Sequence, residues 1–159
     1  MSISNIVITV AVVVWLIVRQ LQVRPVKENR PYRIALVLGV IGVIEISNYV
    51  GGKHLPAVAY VILVLSLAVG AVFGFLRAQV TAVWRGDDGV LVRQGNAVTV
   101  VLWIVGLALH IGIDLVLRRT TTAADQLGSV SLLLYLAVTV AAQRWVVTGK
   151  AARLTPAAP

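Results

Sequence analysis

TVVLWIVGLALHIGIDLVLR, residues 99–118, is a stretch long and apolar enough to cross a bilayer, yet it carries a polar stripe. Thr99, Trp103, Gly106, His110, Asp114 and Arg118 follow helical steps of three or four, so they share one face. Only Gly112 is off that line. A carboxylate facing lipid costs on the order of a few kcal/mol, so the stripe must face protein or a water-filled cavity. The chain reads as a membrane protein with a polar seam inside it.

The rest of the composition agrees. Of 159 residues, 59% are hydrophobic and 13% charged, against about a quarter charged in soluble domains, and the mean hydropathy is +0.94. Charges cluster between apolar runs, the pattern of one multi-pass α-helical membrane domain. A net charge of +8 would suggest nucleic acid in a soluble protein. Here basic loops beside a membrane account for it, and no recognition-helix or base-stacking pattern accompanies them. Without cysteine, the chain excludes disulfides, thiolate catalysis, zinc–thiolate sites and thioether haem attachment.

Five apolar runs stand out, at about 3–18, 34–50, 56–76, 97–117 and 130–147. The first has no basic residue before it and no small-residue cleavage site after it, so it reads as an uncleaved span. Eleven of fourteen Lys and Arg residues fall in segments 19–33, 77–96 and 144–153. That bias sets the N-terminus outside and the C-terminus in the cytoplasm of a cell-membrane protein. QVTAVWRGDDGVLVRQGN, residues 79–96, places an Asp-Gly turn between β-forming flanks. It predicts a two-stranded cytoplasmic ribbon over 80–93 with Trp84 at the headgroups. Residues 1–150 thus form a single transmembrane domain: an all-α integral membrane bundle of five helices with a short hairpin. Residues 151–159 read as a disordered tail.

Glu45 lies about 16 Å along the second span, and His110 and Asp114 about 18 and 24 Å along the fourth, so all three share the outer half of the membrane. Gly42, Glu45, Asn48 and Tyr49 share a face, and Gly70 and Gly74 form a GxxxG step that permits close helix approach. The functional reading is an outward-facing cavity lined by Glu45, Asn48, Tyr49, His110, Asp114 and Tyr135. Trp103 of the stripe joins Asn48, Tyr49 and Tyr135 as a ligand-binding candidate, and Glu45, His110 and Asp114 are the candidate acids or bases. The bland reading is interhelical glue, with Asp114 paired to Arg118 one turn away. A metal is not expected, since these carboxylates and imidazole come from separate helices without paired-ligand spacing. No cofactor is expected either. Gly51-Gly52-Lys53 follows no strand, which rules against a phosphate loop, and His54 reads as a surface residue.

The order of features resembles the CcdC-like group of small bacterial multi-pass proteins, named for an association with cytochrome c biogenesis. The basic RPVKENRP segment, the GFLRA end of the third span and VWRGDDGVLVRQGN carry the likeness, most strongly over Gly74–Asn96. The resemblance implies a bacterial cell-membrane protein and supplies no catalytic residues.

Three functions compete. The first is an accessory or assembly factor that is not an enzyme. It would bind lipid and other membrane proteins, or a second copy of itself, through its helices and basic loops. The second is a membrane-embedded enzyme that uses Glu45 or Asp114 as a buried acid on a hydrophobic, isoprenoid-like small molecule. The third is an oligomeric proton-coupled carrier with Glu45 and His110 as the relay.

Overall fold

The computed structural model describes residues 18, 21–26, 32–120 and 127–154. Four long helices lie among them: α1 (Arg33–Val50), α2 (Ala57–Val80), α3 (Ala97–Thr120) and α4 (Leu127–Leu154). Each is long and apolar enough to cross a membrane. With 24 residues, α2 and α3 each span about 36 Å, more than the roughly 30 Å hydrocarbon core. The run at 3–18 falls outside the described residues, so four of the five expected spans are seen as helices.

Local sequence sets the helix ends. Pro56, with φ −65°, precedes α2, where a missing N–H costs least. At the other end Thr81 turns extended, and its Oγ donates to the Arg77 carbonyl at 2.8 Å. Asn96 and Thr99 form a reciprocal cap at the start of α3. Thr99 N donates to Asn96 Oδ1 at 3.0 Å and Asn96 N to Thr99 Oγ1 at 3.2 Å.

Between α2 and α3 lies the expected hairpin, with β2 (Ala82–Arg85) paired antiparallel to β3 (Leu91–Gln94). Gly86 O accepts from Gly89 N at 2.9 Å, and Gly89 takes φ +75°, a conformation open to glycine. The ribbon is not two-stranded, however. β1 (Arg24–Pro25) pairs antiparallel along the other edge of β3, giving the order β1-β3-β2. The residue before a proline favours extended backbone, and proline suits an edge strand. Arg24 carries no sequence signal beyond its charge, so this two-residue strand was not expected.

Successive helices alternate in direction, which leaves α2 and α4 parallel. α4 is the centre: α1, α2 and α3 all pack on it, and α3 packs on α2 as well. Glycines set these distances. A β-carbon at Gly42 would strike the Leu134 backbone, and one at Gly74 would strike the Thr139 carbonyl and Ala142. Hydrocarbon supplies no hydrophobic force between helices, so this close van der Waals fit does the work. α4 also runs past the boundary set for a disordered tail, since residues 151–154 are helical and Ala151 is buried beside Val26, Ala78 and Leu91. The extension is held by Lys150 Nζ, which donates to the Ala78 and Gln79 carbonyls at 2.7 and 2.8 Å and caps the end of α2. Arg85 in turn donates to the Leu154 carbonyl at 3.1 Å.

Thermal unfolding in neutral detergent tests the packing. Gly74→Ala should lower stability by about 1–3 kcal/mol because α4 leaves no room. Gly112→Ala has open space around it and should be neutral or stabilising by up to about 1 kcal/mol. Equal midpoints for the two variants would contradict the α2–α4 contact.

Candidate functional site

The stripe of α3 faces the bundle. Thr99, Gly106 and His110 are buried, and Trp103 and Asp114 are partly so. Opposite it, α4 repeats a polar residue every four positions: Ser131, Tyr135, Thr139 and Gln143, all buried. α2 supplies Ser66, Gly70, Gly74 and Arg77, also buried. The three faces enclose a polar column that runs most of the length of the bundle.

His110 is its hub. Nδ1 lies 2.8 Å from Ser66 Oγ, and Nε2 lies 3.3 Å from the Gly128 carbonyl. A carbonyl only accepts, so Nε2 carries the proton and Nδ1 accepts from the Ser66 hydroxyl. The imidazole stacks on Tyr135 with centroids 4.4 Å apart. The Tyr135 hydroxyl donates to the Gly106 carbonyl at 2.7 Å, and Ser131 Oγ donates to the Gly128 carbonyl at 3.1 Å. Toward the end of α3, Asp114 pairs with Arg118 at 2.9 Å, and Arg118 also donates to Ser129 Oγ at 3.0 Å. This ties the end of α3 to the start of α4. Gly128 is indispensable to the junction, since a β-carbon there would overlap the Asp114 carboxylate.

The expected cavity is not assembled as proposed. His110, Asp114 and Tyr135 come together, but Glu45, Asn48 and Tyr49 stand on α1, which packs against α4 and does not line the His110 gap. Glu45 is half-buried, one turn beyond the Gly42–Leu134 contact, and Asn48 is exposed. Tyr49 packs against Ala59, Leu117 and Leu127, the last two of which also line the His110 gap, and Lys53 Nζ sits 3.8 Å from its ring centroid. Depth along two spans was readable, but the order of helices around α4 was not, and that order separates Glu45 from His110. Trp103 lies deeper toward the sheet, under the Arg77 guanidinium, 4.5 Å from its ring centroid.

Between Ser66, His110, Asp114, Gly128 and Ser131 the remaining gap is about 10 Å³, at the lower limit for one water. Among the described residues no three His, Cys, Asp or Glu side chains gather in a metal-binding group. Gly128 and Gln143 were missed as members of the column. Gln143 had a usable signal, its spacing of four from Thr139 along an apolar helix. Gly128 had none. Comparison with family models, curated proteins and solved structures finds no match to this chain.

A size-exchange pair checks the junction. Gly128→Ala should lower the unfolding midpoint, and Asp114→Ala should cost less, because its partner Arg118 is 42% exposed. In the double variant, Asp114→Ala should recover part of the Gly128→Ala loss, with a coupling of about 0.5–2 kcal/mol. Strict additivity would show that the two residues do not touch.

Proposed function

We propose that this chain is an accessory or assembly factor of the bacterial cell membrane, acting through helix–helix and lipid-surface contacts rather than by catalysis. Its N-terminus lies outside and its C-terminus and sheet in the cytoplasm, as the distribution of Lys and Arg favours. The observation that carries this reading is the closure of the seam. His110 has both ring nitrogens engaged, Asp114 Oδ2 is paired with Arg118 while its buried Oδ1 has no partner, and the gap beside them is too small for an organic substrate. Polar groups that hold each other are membrane glue. The outer face of α1 differs, since Glu45 makes no ion pair among the described residues and Asn48 is exposed near it. A carboxyl at this depth on the margin of a bundle is a handle for a neighbouring polar helix, so α1 is the face assigned to a partner. Membership of the CcdC-like group is part of the same proposal and rests on the Gly74–Asn96 signature.

One contact favours a second reading. A serine hydroxyl donating to an imidazole at 2.8 Å is the first half of an activated nucleophile. Ser66 and His110 are each only 4% exposed, and the gap beside them holds no more than a water, so packing is the stronger account.

Two measurements separate the readings. A photo-cross-linking residue in place of Asn48 should give a discrete protein adduct in native membranes, either to another membrane protein or to a second copy. Adducts to lipid alone would refute the partner face. Purified protein should resist fluorophosphonate labelling, and labelling abolished by Ser66→Ala would establish the hydrolase reading instead.

A further inference from the structure

Arg77 stands within one turn of the end of α2 and is 1% exposed. Its Nε donates to the Phe73 carbonyl at 3.4 Å, and its guanidinium lies over Trp103. Both terminal nitrogens, Nη1 and Nη2, are buried without an acceptor, and so are Trp103 Nε1 and Gln143 Nε2. The three side chains come from three helices at one level. Arg77 and Trp103 touch, and Gln143 lies one turn past Thr139 on α4, as Arg77 lies one turn past Gly74 on the parallel α2, and Gly74 abuts Thr139. All four of these nitrogens are donors as they stand.

Such a cluster is electrostatically one-sided. The ion pair among the described residues, Asp114–Arg118, lies near the opposite end of α3. Desolvating a lone guanidinium is costly, and the cation–π contact with Trp103 leaves both of its terminal nitrogens without an acceptor. An oxyanion would satisfy the guanidinium fork with two parallel hydrogen bonds, and the indole and amide supply further donors. Depth selects the kind of oxyanion. α2 exceeds the hydrocarbon thickness by roughly 6 Å, so its last turn reaches the level of the headgroups, where phosphate is abundant.

We propose that the corner formed by Arg77, Trp103 and Gln143 is a phosphate-binding site, filled by the phosphate of a phospholipid headgroup or by inorganic phosphate. Binding locks α2, α3 and α4 together at the sheet end. The site is independent of the His110 column and of the partner face on α1.

Thermal unfolding of the full chain in dodecyl maltoside tests it. Phosphatidylglycerol should raise the midpoint on the order of 5 °C at saturation, while diacylglycerol, which lacks the phosphate, should not. An equal rise with inorganic phosphate makes the free ion the ligand, and a rise with phosphatidylglycerol alone makes it the headgroup. Gln143→Glu supplies a carboxylate at the same corner, so it should raise the midpoint without lipid and abolish the phosphate response. Arg77→Met should abolish the response too, and if that variant fails to fold, Gln143→Glu decides. The proposal is overturned if Gln143→Glu responds like wild type, or if diacylglycerol stabilises as well as phosphatidylglycerol. Indifference of the wild type to every phosphate overturns it as well.

Discussion

Within the hydrocarbon of a bilayer there is no water to hydrogen-bond a buried side chain, so each polar group must be satisfied by another helix. The Ser66–His110–Gly128 chain of contacts is where this constraint acts most strongly, joining α2, α3 and α4 through one imidazole. Those contacts require helix axes close enough for a serine to reach a histidine across an interface. Glycine makes that distance possible, at Gly70 and Gly74 where α2 meets α4 and at Gly128 beside Asp114. Each interhelical hydrogen bond is worth only about 0.6 kcal/mol on average, so the bundle depends on the polar column and the glycine contacts together.

The sheet end is held together by different groups. The end of α2 exposes carbonyls that Lys150 from α4 satisfies. The hairpin that follows ties itself to the end of α4 through Arg85. Extension of α4 beyond its apolar run therefore follows from capping duties rather than from hydropathy. Lys150 and Arg85 thus have structural partners as well as the topological role that the distribution of basic residues implies.

Much of this architecture was legible because it is periodic. The four-residue spacing of Thr99, Trp103, Gly106, His110 and Asp114 put them on one inward face, and GxxxG placed Gly70 and Gly74 at a contact. The Asp-Gly turn marked the hairpin. What was not legible is relational. Nothing in the spacing says that α1 packs on α4, so Glu45 was joined to His110 on depth and on the polar face each occupies. Ser66 shares a helical face with Gly70 and Arg77, but that spacing does not say that the face meets His110. The β1 strand depends on a two-residue extended segment finding the open edge of β3, a tertiary event with almost no local signature.

The closed seam decides between glue and a reaction chamber, and the chain's lack of cysteine makes it directly measurable. With Ser66→Cys as the single thiol, the rate of modification by a small water-soluble methanethiosulfonate reagent, taken relative to exposed Asn48→Cys, reports whether water reaches His110. The closed column predicts that Cys at 66 reacts at least about 100-fold more slowly than Cys at 48 and becomes reactive only when the protein unfolds, since a buried site opens only with its local structure. Comparable rates in the folded protein would mean that the column is an open aqueous cavity, and the account of His110 and Ser66 as packing would be wrong.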